Sequence, residues 1–96
     1  MKPSMALEAH RAKIRSVVLK HRASKARVFG SVLQGNDQEG SDVDILIDPT
    51  PETSMFDIGA IRHELLQLLG VNVDVQTPNA LPDSFRARVS AEARSV

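Results

Sequence analysis

Asp42-Val43-Asp44-Ile45-Leu46-Ile47-Asp48 is the stretch on which the fold turns. Residues two apart on a strand share a face, so Val43, Ile45 and Ile47 line one side and Asp42 and Asp44 the other. Two carboxylates ~6–7 Å apart at an effective dielectric near 20 repel by roughly 2–3 kcal/mol if both stay ionised. A divalent cation offsets that repulsion directly. Hard oxygen ligands, with no cysteine and no well-placed histidine, favour magnesium or manganese over zinc.

Upstream, Ala26-Arg27-Val28-Phe29 reads as a short strand stopped by Gly30, and turn formers fill the interval to Asp42. Downstream, Asp48-Pro49-Thr50-Pro51 closes the second strand because proline supplies no ladder donor. Ser54 then caps a helix in which Ile58, Ile61, Leu65 and Leu68 recur at helical spacing, and Gly70 stands where a left-handed C-terminal residue is wanted. Val71, Val73 and Val75 alternate with Asn72, Asp74 and Gln76 in a third strand, so Asp74 sits on a polar face and can join the first two acids. At the start of the chain, a helix capped by Ser4 runs to about His21, with Leu7, Ile14, Val18 and His21 near one stripe. At the other end, a helix after Leu81-Pro82-Asp83 places Phe85, Val89 and Glu92 to Val96 on one side and reaches the C-terminus. The expected architecture is one α/β (α+β) domain over residues 1–96, a small mixed sheet of three to four strands with helices covering mainly one face.

Composition is consistent with this. Ninety-six residues, 42% apolar and 25% charged, suit a single folded domain. The absence of cysteine excludes a disulfide framework, a thiolate zinc site and a cysteine nucleophile, and points to a reducing, cytoplasmic setting. No apolar run approaches the roughly 20 residues of a bilayer span, so no membrane association is expected. The formal net charge of zero averages a lopsided chain: eight Lys/Arg against the single acid Glu8 over residues 1–28, then seven acids and no base over residues 36–57. An acidic centre beside a basic start suits a cation site next to an anion-attracting surface.

Phe29-Gly30-Ser31, ten residues, then Asp42-Val43-Asp44-Ile45, with Asp74 in a later Val-Asp-Val strand, resembles the minimal nucleotidyltransferase branch of the DNA polymerase β superfamily. Ser54-Met55-Phe56-Asp57-Ile58-Gly59, Leu68-Leu69-Gly70 and Val73-Asp74-Val75-Gln76-Thr77-Pro78 extend the likeness to small bacterial members encoded beside a HEPN-domain partner. It covers about Val28 to Val89. The resemblance implies the nucleotidyltransferase fold, with Asp42 and Asp44 as ligands of Mg²⁺ or Mn²⁺ and Asp74 as the third carboxylate and base candidate. It further implies ATP as substrate, AMP as the group moved, a tyrosine on a HEPN toxin as acceptor, and an antitoxin role.

Each residue has a physical reason to be there. Gly30 lets the backbone turn and approach a ligand, while Ser31 can cap the short turn Val32-Leu33-Gln34 before Gly35; N–H groups at such a turn, with the hydroxyl, bind phosphate oxygens. Gly40-Ser41 abuts Asp42 without room for a phosphate turn and reads as a loop. Asp57, three residues past Ser54, reads as a helix-start carboxylate, and His10, His21 and His63 show no ligand spacing. The acidic strand is no calcium loop, since apolar residues stand where ligands and a glycine are needed. Relatives often carry arginine where Val32 and Gln34 stand, so Gln34 removes a cation beside the expected triphosphate. With no second domain to hold a nucleic-acid primer, direct nucleic-acid binding is not expected and a protein acceptor is favoured. The alternative is a catalytically weak binding module that neutralises its partner by complex formation.

Overall fold

The computed structural model describes all of Met1–Val96. At its centre β2 (Val43–Pro49) pairs antiparallel with β1 (Ala23–Phe29) on one side and parallel with β3 (Val73–Gln76) on the other. A short β4 (Arg94–Ser95) adds antiparallel to β1, giving the order β3-β2-β1-β4 in a mixed sheet. The helices are α1 (Pro3–Ala9), α2 (Arg11–Lys20), α3 (Gly30–Gln34), α4 (Met55–Leu69) and α5 (Asp83–Glu92), with a 3₁₀ turn at Pro78–Ala80.

The alternation in β2 sorts its side chains as expected. Val43, Ile45 and Ile47 are fully buried with Ala26, Val28, Val73 and Val75 against Leu7, Ile14, Val18, Ile61 and Leu65 of α1, α2 and α4. The opposite face is not bare: Leu46 is fully buried beneath Leu81 and Val89, with Phe29 and Ala93 packed alongside. So α5 covers one end of the acidic face and leaves the end holding Asp44 open.

Four boundaries differ from the sequence reading. The first helix breaks at His10, whose backbone leaves helical geometry. Ser4 does not cap it; Pro3 opens α1, and the Ser4 N–H donates to the Asp37 carboxylate at 2.9 Å. That bond holds the Asp37 carboxyl below the usual aspartate range and ties the loop before β2 to α1. Second, β1 begins at Ala23. A bulge sets Lys25 and Ala26 opposite the single residue Ile47, with Lys25 at φ +54°, and this brings both Ala23 and Ala26 to the core. Third, β3 starts at Val73 rather than Val71. Fourth, the last helix stops at Glu92: Ala93 turns extended, Arg94–Ser95 forms β4, and Val96 donates its N–H to Ala26 O and buries its side chain. Phe85 is 40% exposed and belongs to no core cluster.

The start and stop of α4 are as expected, but at its end Leu69 is buried in place of Leu68, and Ile58 and Leu68 are only partly buried. Ser54 and Asp57 form a reciprocal capping box, Arg22 pairs with Asp57 at 3.1 Å, and Gly70 ends the helix at φ +69°. Ile61, Leu65 and Leu69 form its buried stripe. No helix is long and apolar enough to cross a membrane.

Candidate active site

Strand register sets the acids side by side. Asp44, the second residue of β2, is directly opposite Asp74 of β3 on one flank and Phe29 of β1 on the other. Asp42 lies just ahead of β2 and is exposed. Because β1 runs antiparallel to β2, its end at Phe29 delivers Gly30 and α3 to the same end of the sheet.

Gly30 is the close-approach residue. It adopts φ +74°, and a Cβ built on it would overlap the Asp44 carboxylate at Oδ2. Glycine is thus required twice, for the left-handed backbone and for the space. Phe29, extended, precedes the turn, so Ser31 lies within α3 and caps nothing, contrary to the expectation from sequence. Gly35 closes α3 at φ +77°. Gln34 lies at the far end of α3, its amide donating to Glu92 at 3.4 Å.

Electrostatics mark Asp44 as the centre of the group. Burial, then the charges of Asp74 and Asp42, push its carboxyl up to about 6. No protein cation relieves this. Arg27 and Lys25 pair with Asp48, Arg22 with Asp57, Lys20 with Glu64 and Arg11 with Glu8. Asp74 instead accepts from the Gln76 amide at both carboxylate oxygens, 3.1 and 3.2 Å. Gln76 is a site residue the sequence reading passed over; its signal was the two-residue spacing that sets it on the face of Asp74.

The donor set suits a hard divalent cation: three carboxylates on neighbouring positions, no thiol and no imidazole among them. With side chains as they stand, the acids do not form a finished three-ligand cage. Asp74 is held by the Gln76 amide, and Asp42 stands exposed just ahead of β2. Asp44 and Asp74, by contrast, are half-buried. Of the remaining singled-out residues, Asp57 is a helix-start carboxylate as expected. His21 lies on Glu64 at 2.8 Å, away from the acids.

The nucleotidyltransferase domain family matches residues 11–96, which hold the whole constellation. The chain belongs to that family, in its minimal branch. This nucleotidyltransferase is 36% identical to a Methanocaldococcus jannaschii protein named as a protein adenylyltransferase, over 88% of this chain and 90% of the relative. It is 31% identical to the protein adenylyltransferase MntA of Thermococcus cleftensis, over 90% of this chain and 84% of that one. Among solved structures, a minimal nucleotidyltransferase superposes with TM-score 0.87 at 33% identity, covering 97% of this chain and 95% of its own. A toxin–antitoxin crystallised with AMP-PNP shares the fold at TM-score 0.75 and 18% identity, covering 88% of this chain and 70% of that one. The nucleotidyltransferase fold that the resemblance implied is therefore the fold of this chain.

Proposed function

We propose that this nucleotidyltransferase moves AMP from ATP onto a hydroxyl, a tyrosine, of a HEPN-domain partner protein in the cytoplasm, and by doing so acts as its antitoxin. The observation that carries the reading is the register of Asp44 beside Asp74 with Gly30 seated on the Asp44 carboxylate. Relatives named as protein adenylyltransferases and a like-folded toxin–antitoxin with AMP-PNP support the nucleotide and the class of acceptor. The partial exposure of the three acids suits an acceptor that brings its own surface.

In this reading Asp42 and Asp44 would hold Mg²⁺ or Mn²⁺, and Asp74 would complete the set. Such a cation supplies neutralisation of triphosphate charge and orientation of the pyrophosphate leaving group. Gly30 leaves room for the Asp44 carboxylate itself, and the backbone N–H groups of the turn it opens, with the Ser31 hydroxyl, would bind the phosphate oxygens. The acceptor hydroxyl gives its proton to Asp74 as its oxygen bonds to the α-phosphorus; the bond from that phosphorus to pyrophosphate breaks. Gln76, on both oxygens of Asp74, sets the orientation of that base.

A second reading, a binding module that neutralises its partner without transfer, is favoured by one feature: α3 offers no cation, and Gln34 is engaged with Glu92. Incubation with the co-encoded partner, Mg²⁺ and labelled ATP separates the two. Transfer predicts a covalent nucleotide on the partner that Asp74→Asn abolishes while the complex still forms. Neutralisation that survives Asp42→Asn, Asp44→Asn and Asp74→Asn together, with no label in the wild type, would leave only masking.

A further inference from the structure

Asp74 differs from other half-buried carboxylates of the chain in what holds it. Asp48 meets Arg27 and Lys25, and Glu64 meets Lys20 and His21, so each has a basic partner. Asp74 accepts instead from the neutral amide of Gln76, whose Nε2 lies 3.1 Å from Oδ1 and 3.2 Å from Oδ2. One nitrogen nearly equidistant from both oxygens fills the notch of the carboxylate, the place from which a single atom reaches both at once. A cation that chelated Asp74 through both oxygens would need that same place.

The strand brings the two side chains together. Asp74 and Gln76 are two apart on β3 and share the face that carries Asp44 and Leu46, their partners in register on β2. Leu46, fully buried beneath Leu81 and Val89, flanks Gln76 on one side. Just beyond Gln76 the chain is fixed, since Arg86 donates to Pro78 O at 2.8 Å and to Leu81 O at 2.9 Å. The amide therefore reaches back along β3 to Asp74 from an anchored position.

The neutrality of the amide matters as much as its place. A guanidinium or ammonium on Asp74 would cancel the negative charge that draws a cation, whereas an amide directs the oxygens and leaves the charge. Ca²⁺ takes carboxylates through one oxygen or both, in a large and loose shell. Mg²⁺ demands a near-octahedral shell, makes few carboxylate contacts and keeps several waters. An amide that retains one Asp74 oxygen leaves enough for Mg²⁺ and too little for a chelated Ca²⁺.

We propose that Gln76 is a selectivity residue for the cation: by retaining one oxygen of Asp74 it restricts this carboxylate to single-oxygen coordination and shifts preference toward Mg²⁺ or Mn²⁺ and away from Ca²⁺. The inference rests on the proposed metal at Asp42, Asp44 and Asp74, and adds to it a discrimination made by a residue outside the three acids.

Electron paramagnetic resonance of Mn²⁺ titrated into the full chain, with Mg²⁺ and Ca²⁺ as competitors and no nucleotide, reads binding without any transfer step. Two variants remove the donor: Gln76→Met keeps the length of the side chain, and Gln76→Val keeps strand propensity but is too short to reach Asp74. Each, checked by a melting temperature near wild type, should strengthen competition by Ca²⁺ roughly tenfold, about the worth of one hydrogen bond to a charged group. Competition by Mg²⁺ should change less than about twofold, because it uses one oxygen in either case. Adding Asp74→Asn to Gln76→Met should erase the gain for Ca²⁺. An unchanged ratio of the two competition constants, a change shared equally by both cations, or a gain that survives Asp74→Asn would overturn the selectivity role while leaving the acid site standing. If Mn²⁺ binds neither wild type nor variants, the metal site itself fails and the inference with it.

Discussion

Gly30 and Asp44 are locked together, since a single added methyl at position 30 would occupy the space of the Asp44 carboxylate oxygen. The turn proposed to receive phosphate and the acid proposed to hold the cation therefore form one unit, built where the end of β1 meets the start of β2.

Gly30→Ala should destabilise the fold and abolish nucleotide binding. Left-handed backbone alone costs an alanine about 1–2 kcal/mol, and displacement of Asp44 adds to it. Asp44→Ala removes the obstruction, so the double variant should regain part of the lost melting temperature. Additive losses in that cycle would show that the two residues do not press on one another.

Asp44 also sets a pH dependence with a definite sign. Its carboxyl is raised from the ordinary 3.8 to about 6 by burial and by Asp74 and Asp42. The folded chain holds that proton more tightly than the unfolded one, so without divalent cations stability should fall as pH rises from about 4 to about 6. Asp44→Asn should lack this fall and melt higher than wild type at pH 7–8 in chelator. Added Mg²⁺ should raise the melting temperature of the wild type and not of the variant. Asp37, Asp57 and Glu64, whose carboxyls are held below their usual range by Ser4, Ser54 and Lys20 in turn, act in the opposite sense and lose their contribution only in stronger acid.

The parts of this molecule legible in its sequence are those in which one local rule acts alone. Val43, Ile45 and Ile47 alternate without interruption, and Ser54, Ile58, Ile61, Leu65 and Gly70 carry a start, a stripe and a stop; both elements lie where these patterns place them. The acids followed from the same alternation. What stayed hidden depends on residues distant in sequence. Ser4 looks like a cap until Asp37 arrives from a loop to satisfy its N–H, and Ser24-Lys25 breaks the alternation because a bulge turns the chain there. Arg94-Ser95 has no strand signal; it pairs because β1 offers an open edge, and Arg11 and Arg15 grip the carbonyls of Ser95 and Val96. Gln34 looked like a loss at the phosphate turn, and only the packing of α5 shows what it meets.

The capping box should be separable from the site. Ser54 accepts from the Asp57 N–H at the start of α4, at the end of β2 away from Asp44. Ser54→Ala should cost about 1 kcal/mol in chemical denaturation. Metal and nucleotide affinity should not change, and a parallel loss of affinity would mean that the helix start and the acids are coupled through β2.

The C-terminal segment gives the sharpest contrast between the two ways of reading this chain. Sequence periodicity placed Phe85 and the last residues on one helix face, whereas the structure leaves Phe85 40% exposed and buries Val96 to 6%. Removing Arg94–Val96 takes away β4, the Val96 N–H bond to Ala26 and the carbonyls that Arg11 and Arg15 hold. The Val96 side chain alone is worth roughly 1.5–3 kcal/mol of burial, so the truncated chain should melt well below wild type. Phe85→Ala, a larger deletion of apolar atoms, should cost under about 1 kcal/mol because most of that ring gains little from folding. Equal losses from the two changes, or a larger one from Phe85→Ala, would return the segment to a single helix running to the end of the chain.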